Sequence, residues 1–494
     1  MIFLRSFVTC LVVLLHMIIA GCGGSSDSSH PATIEEEIPP TAIVDTDTDD
    51  SASGGEGILL SQHLGSLYQR FAWAGPVRDP MRDELELQTA ATFSSLTESE
   101  KATLSDIASA GDIIAQIGGL GSAKIDPGAT DASALFSDYM NAIIADNGEA
   151  WRLAVRQRAA EVAAVLTDDQ RLYWQIGNEV NASSYTRNAV LYFDNNTGGL
   201  SDAAFSMKVY AEYFLAPTIQ GFIEAESDSG KDVRVALGSV SAFAAPASQT
   251  FLNDLLSYEI EGNYAPALAG RQVHELVDLI TIHYLAHSHD ANDPEHWRHV
   301  LTDLHEQWVH DNIEGVWTTE EVGINVASGG SGAGAALVVA ARYLDWIATR
   351  QLSPRQSRWF YYGTTAGPDG QSISDSMTQL SALLDGQTIR FLSATVLDSA
   401  VEIRTFATTD QGLVIIVSGL DDSPVTVSDI NIDLPPGSQY LSEGLITASS
   451  AWLYSGTGTS HPPVSAMLDN NTLTLQPLND VTLSRLDSLL IYIE

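Results

Sequence analysis

The sequence predicts an α/β fold, a (β/α)8 TIM barrel followed by a small all-β sandwich, on three observations. From residue 58 to about 375, short β-rich runs alternate with amphipathic helical stretches, the pattern of parallel βα units. After about residue 387, helix-length periodicity stops and short β-branched runs separated by turn residues take over. Beyond the N-terminal leader and tether the chain keeps about 430 residues, enough to bury one large core and a second small one.

The barrel elements follow in order. Two strands are expected near residues 58 to 93, a short one at Ile58 to Leu60 and one at Leu85 to Phe93, a run whose pattern fits a helix equally well. Ile113 to Ile117 is a buried strand ending at Gly118-Gly119. Glu149 to Leu166 is helical, rich in Ala, Arg and Val, and Leu172 to Ile176 is the next strand. Met207, Tyr210, Ala211 and Phe214 follow the i, i+3, i+4, i+7 rule of a helix face. Val233 to Gly238, Leu279 to His283, Val316 to Thr319 and Arg358 to Tyr362 are strands. The helices among them are Phe251 to Tyr258, Trp297 to Asp311, a run with Leu337, Ala340, Ala341 and Leu344 on one face, and Ser374 to Leu384. The sandwich strands are expected at Val396 to Phe406, Gly412 to Val417, Val425 to Ile432, Leu473 to Leu475 and Ser488 to Ile493. The organisation is therefore a leader over 1–21, a tether over 22–57, a barrel over 58–386 and a sandwich over 387–494.

The N-terminus reads as an address. Arg5 precedes an apolar run from Phe7 to Ile19, too short to span a bilayer, and Ile19-Ala20-Gly21-Cys22 places small residues before a cysteine. That tetrapeptide resembles the bacterial lipobox, which implies cleavage before Cys22 and its lipidation, with the protein anchored in the cell envelope at the outer membrane. Residues 23 to 57 are polar and acidic, a composition that buries too little apolar surface to order itself. Of the two cysteines, Cys10 leaves with the leader and Cys22 carries lipid, so disulfide, thiolate-metal and cysteine-nucleophile chemistry are all excluded.

Charge narrows the partners. With 23 Lys and Arg against 63 Asp and Glu, the net charge of −40 repels nucleic acid and anionic bilayers, leaving the lipid as the only expected membrane contact.

Three strand ends carry chemistry. Trp174-Gln175-Ile176-Gly177-Asn178-Glu179 delivers an Asn-Glu pair to the C-terminal end of a buried strand, where barrels build active sites. Glycosidic bond cleavage needs a carboxylic acid there to protonate the leaving oxygen, and a neighbouring amide to hold a sugar hydroxyl. Trp317-Thr318-Thr319-Glu320-Glu321-Val322-Gly323 ends a later strand in carboxylates, the second group that a retaining mechanism requires. Between them, Ile282-His283-Tyr284 ends a strand in an aromatic pair. No cofactor is needed for this chemistry. His283, His287 and His289 do not form a convincing metal set, because His283 belongs to the strand end and the others to a polar loop with Asp290.

These motifs resemble clan A of the retaining glycoside hydrolases, and the layout from about residue 110 to 494 is similar to its xylosidase, arabinofuranosidase and heparanase-like families. The resemblance implies Glu179 as acid/base, Asn178 as the amide beside it, and Tyr284 as the aromatic touching the nucleophile with His283 on the same wall. It further implies Trp359, or a tyrosine near it, as the aromatic floor under the sugar. The clan's usual strand-seven ending is Thr-Glu-x-Gly, and here one residue is inserted. Counting from Trp317 and Thr319 selects Glu320, counting back from Gly323 selects Glu321, and Glu320 is favoured because a strand sets inward direction better than a loop. The arginine that many members carry near strand two has no match. The expected activity is retaining hydrolysis of a poly- or oligosaccharide, and the alternative is an inactive carbohydrate-binding lipoprotein on the same barrel.

Overall fold

The computed structural model describes strands within 58–66 and 113–117, isolated positions between 96 and 105, and most of 128–493. Its main breaks there fall at 287–292, 322–331, 362–372 and 436–443. The expected leader, Cys22 and the tether lie outside the described residues, as does the strand expected at Leu85 to Phe93. Among the described residues no helix is long and apolar enough to cross a membrane.

In the barrel, β1 (Ile58–Leu59) and β2 (Leu64–Ser66) are followed by β3 (Ile113–Ile117), β4 (Leu172–Ile176), β5 (Arg234–Ala236), β6 (Leu279–His283), β7 (Gly315–Glu321) and β8 (Ser357–Tyr361). One sheet runs β2-β8-β7-β6-β5-β4-β3 with every pair parallel. Seven parallel strands in this order are the sequential neighbours of a (β/α)8 barrel, with β2 beside β8. The run at Ile58, expected as the first barrel strand, instead pairs antiparallel with Ile389 and Thr388 of the second sheet. Three apolar residues between Gly57 and Ser61 do not distinguish an edge strand of one sheet from the start of another.

The helices are α1 (Ala134–Ala145), α2 (Glu149–Val165), α3 (Ser183–Tyr192), α4 (Asp202–Val209), α5 (Ala216–Ser229), α6 (Pro246–Leu256), α7 (His296–Trp308), α8 (Gly332–Arg350) and α9 (Ile373–Leu383). The helix read around Met207 to Phe214 is α4 and α5 joined by a π-helical turn, Tyr210–Leu215. That wider turn inserts a residue's worth of rotation, and it aims Tyr210 between β4 and β5. The Tyr210 hydroxyl donates to the Ile176 carbonyl at 2.6 Å and accepts from Gly238 N at 2.9 Å. A side chain at Gly238 would meet the Ile176 carbonyl at 2.2 Å, so the two strand ends close only over glycine.

Inside the barrel, Ile114, Tyr173, Ala236, Leu279, Trp317 and Phe360, one from each of β3 to β8, form their own apolar cluster. Side chains fill the interior, and the strands are buried on both faces, which is why they read as near-continuous apolar runs rather than alternating ones.

The second domain continues with β9 (Thr388–Leu397), β10 (Val401–Thr408), β11 (Leu413–Gly419), β12 (Val425–Thr426), β13 (Ile430–Asp433) and β14 (Gly444–Thr447). It ends with β15 (Ser450–Ser455), β16 (Gly458–Ser460), β17 (Ser465–Asp469), β18 (Thr472–Gln476), β19 (Thr482–Leu483) and β20 (Ser488–Ile493). A long antiparallel sheet, β1-β9-β10-β11-β20-β15-β16, accompanies a four-stranded one, β13-β18-β17-β14. Alternate residues of the long sheet serve different cores. Leu413, Ile415, Leu489 and Ile491 pack with the four-stranded sheet, while Val414, Ile416, Leu490 and Tyr492 join the barrel's core. Helix α8 lies on that second face and is buried along nearly its whole length, which its all-round Ala, Val and Leu composition permits.

Candidate active site

Three strand ends converge. Glu179 follows β4, His283 and Tyr284 end β6, and Glu320 and Glu321 end β7, all at the C-terminal face of the barrel. One donor atom from each of Glu179, His283 and Glu320 falls within a mutual 4.8 Å.

Glu179 has a left-handed backbone, φ 50°, costly for a residue with a side chain and held here by neighbours. Its N–H donates to Ser239 Oγ at 3.1 Å, and its Oε1 accepts from Ser241 Oγ at 2.9 Å. Asn181 fixes Ser241 through both backbone groups, Asn181 Nδ2 to the Ser241 carbonyl at 3.0 Å and Ser241 N to Asn181 Oδ1 at 2.7 Å. Asn178 Oδ1 accepts from Ser239 Oγ at 3.2 Å, so one loop after β5 serves both members of the Asn-Glu pair. These serines were not singled out in the sequence; a Gly-Ser-Val-Ser run directly after a strand was the available signal.

His283 is fully buried, with Nδ1 3.2 Å from Glu179 Oε1 and 3.6 Å from Glu320 Oε2. Its Nε2 lies 3.1 Å from Thr319 Oγ1. The proton on the ring follows the charge of Glu179: toward a carboxylate Nδ1 donates, and toward the neutral acid it accepts.

Tyr284 also has a left-handed backbone, φ 57°, and grips Glu320 twice. Its N–H donates to the Glu320 carbonyl at 3.0 Å, and its hydroxyl donates to Glu320 Oε2 at 2.9 Å.

The inserted residue of β7 is absorbed by a bulge. Ile282 pairs with Thr318 but His283 pairs with Glu320, and on the other side Thr318 pairs with Trp359 while Glu321 pairs with Tyr361. Thr319 and Glu320 consequently both reach His283. Glu321 turns to the opposite side, fully buried, where its Oε2 accepts from Leu285 N at 3.0 Å and Ala286 N at 3.1 Å. The Tyr343 hydroxyl of α8 lies between Glu321 and Thr318, and burial with the nearby carboxylate holds it well above the usual phenol range.

Trp359 corrects an expectation. Fully buried, it stacks on Tyr343 with ring centroids 5.3 Å apart and planes 6° from parallel. Alternation along β8 sends Phe360 into the barrel and Trp359 out to α8, so no sugar can lie on its ring. The side chains of Tyr361 and Tyr362 lie outside the described residues, as do His287 and His289.

Glu179, His283 and Glu320 are chemically a nitrogen and two oxygen donors, a set a divalent transition ion accepts. Hydrogen bonds already engage these atoms: His283 Nδ1 and Ser241 Oγ meet Glu179 Oε1, and the Tyr284 hydroxyl donates to Glu320 Oε2, with the Glu179 side chain a quarter exposed and the Glu320 side chain a tenth exposed. A cavity of about 340 Å³ opens at the other end of the barrel among Arg171, Lys231 and Arg234. Its arginines are bound to Glu314 and Asp278 and its lysine to the Leu166 carbonyl, and it shares no residue with the carboxylate pair.

Solved structures of similar architecture come from several sources. A family 51 alpha-L-arabinofuranosidase from Bifidobacterium longum is 12% identical, covering 80% of this chain and 79% of its own, at a TM-score of 0.41. An alpha-L-arabinofuranosidase from Thermotoga maritima in an arabinose complex is 9% identical, with 80% and 78% covered and a TM-score of 0.39. The catalytic domain of the GH30 xylanase C from Talaromyces cellulolyticus is 14% identical, with 89% and 97% covered and a TM-score of 0.32. No protein-family model and no curated protein matches the chain.

Proposed function

We propose that this protein is a retaining glycoside hydrolase in which Glu179 is the acid/base and Glu320 the nucleophile. The observation that carries the reading is the pair of partly accessible carboxylates with oxygens inside 4.8 Å of each other. Retaining enzymes hold their carboxyl groups about 5 to 5.5 Å apart, whereas inverting ones leave roughly 6.5 to 9.5 Å for a water. Glu179 protonates the leaving oxygen while Glu320 forms a glycosyl ester with the anomeric carbon. Glu179 then takes a proton from the water that breaks that ester. His283 and Tyr284 hold the two carboxylates in register, and Asn178 is offered to a sugar hydroxyl beside the reacting carbon. The orientation of Glu321 toward backbone N–H groups supports Glu320 over its neighbour.

Hydrolysis of aryl glycosides and polysaccharides by the purified chain tests this, with the first-formed anomer followed by NMR. Retention of configuration is expected in the wild type, and turnover of substrates with poor leaving groups is expected to collapse in Glu179→Gln. Inversion would remove Glu320 as nucleophile, and sugar binding without turnover would favour a carbohydrate-binding protein on the same barrel.

Delivery to the cell envelope through a lipid on Cys22 is the second part of the proposal, supported by the Ile19-Ala20-Gly21-Cys22 sequence and the acidic stretch after it. Labelled fatty acid incorporated into the wild type but not into Cys22→Ser is the expected result; equal labelling, or none, refutes it.

A further inference from the structure

The loop that carries Tyr284 is clamped from both sides. Glu321 accepts from the N–H groups of Leu285 and Ala286, and the Ala286 carbonyl accepts from Arg342 NH1 at 2.7 Å. Arg342 belongs to α8 and is fully buried. It also donates to one residue of the second domain, Glu402 on β10: Nε to Oε2 at 3.0 Å and NH2 to Oε2 at 2.6 Å. A fork held at two points has its third direction set, because the guanidinium is planar.

Glu402 is in turn built into a larger network. Arg404 Nε donates to Glu402 Oε1 at 2.6 Å, and Arg404 NH2 to Glu295 Oε1 at 2.8 Å. Arg404 and Arg298 both bind Asp345, and Arg298 Nε donates to Glu295 Oε2 at 2.8 Å. Three arginines thus balance three carboxylates, and the guanidinium carbons lie 5.3 to 5.7 Å from the centre of the buried Trp297 ring. Burial draws Arg404 down to about 10 and pushes Glu402 up. Such a set is costly to desolvate and gives little net stability compared with apolar packing, so its value lies in geometric definition.

We infer that Glu402 of the sandwich domain is a positioning residue for the carboxylate site, acting through Arg342 and the Ala286 carbonyl on Tyr284 and hence on Glu320. The second domain is thereby part of the apparatus that aims the nucleophile. The coupling itself is mechanical; its kinetic consequence rests on the glycosidase reading.

The test uses the full chain with Glu402→Gln, and with Arg342→Lys, which keeps the charge but cannot span Glu402 and the Ala286 carbonyl together. Glu295→Gln is the control, since Glu295 hydrogen-bonds Arg298 and Arg404 and reaches Arg342 through its charge alone. Amide exchange at Leu285 and Ala286 is expected to quicken at least tenfold in either test variant and to stay within twofold in the control. On a cleaved substrate, kcat is expected to fall about tenfold with KM within twofold. In a Tyr284→Phe background Glu402→Gln should add less than twofold. Unchanged exchange, equal acceleration in Glu295→Gln, or full additivity with Tyr284→Phe each overturns the inference. Coupled exchange in a wild type that cleaves no glycoside would instead overturn the glycosidase reading and leave the coupling standing.

Discussion

Glu179 and Glu320 meet at one imidazole edge: His283 Nδ1 stands 3.2 Å from the first carboxylate and 3.6 Å from the second. The histidine is fully buried while both glutamates keep some exposure, so the ring acts as a fixed wall against which two accessible acids are set. The distance between the acids is a property of β4, β6 and β7 together.

Glu320→Gln is expected to lower kcat/KM by at least about a thousandfold, the scale of losing a nucleophile that a positioned base cannot replace. Glu321→Gln retains an oxygen for Leu285 N and Ala286 N, so activity within about tenfold of wild type is expected. Side-by-side kinetics of the two variants check this. The opposite ranking would reassign the nucleophile.

Tyr284→Phe removes a hydroxyl that donates to a charged carboxylate and leaves the ring in place. Hydrogen bonds to charged groups are worth about 1.5–3 kcal/mol, so kcat should fall roughly 10- to 100-fold with little change in melting temperature. A melting temperature that drops as far as activity would mean the contact is structural.

Tyr210→Phe orphans the Ile176 carbonyl and the Gly238 N–H, both buried, at a cost of about 1–3 kcal/mol each. Denaturant midpoints should register that loss. Gly238→Ala is expected to fail to fold, because its methyl meets a backbone carbonyl and not a flexible side-chain end. A soluble Gly238→Ala chain with wild-type stability would disprove the close approach of the two strands.

His305, 6% exposed and ring to ring with Trp346 at 4.7 Å, has its pKa lowered to about 4, first by burial and then by Arg350. The folded state therefore releases a proton that the unfolded chain holds below pH 6.5. Stability from this group is complete above pH 6.5 and is lost as pH falls toward about 4, by up to about 3 kcal/mol. His305→Phe should accordingly lose less melting temperature than wild type between pH 6.5 and 4.5. Parallel pH profiles for the two proteins would remove His305 as the cause.

Much of this was legible in the sequence because it is local. The strands Ile113–Ile117, Leu172–Ile176, Leu279–His283 and Ser488–Ile493 carry their observed bounds in the sequence itself, since buried branched and aromatic runs have few alternatives. The α1 and α3 helices and the strands from Gly444 to Asp469 carry no clean period, because polar and apolar residues mix in them. Charge, cysteine usage and the carboxylates at the ends of β4 and β7 are also sequence properties. The tertiary structure decided what depends on partners. A bulge opposite His283, not the residue count of β7, turned Glu320 toward Glu179 and Glu321 away. The single-residue alternation of β8 buried Trp359 against Tyr343. Glu402, more than 200 residues from Glu179 in the chain, reaches the Tyr284 loop only because α8 lies between the two domains. Sequence sets which groups are present and which segments are strands or helices. Direction and distance between groups arise from register, twist and packing, and those are fixed only when the strands pair.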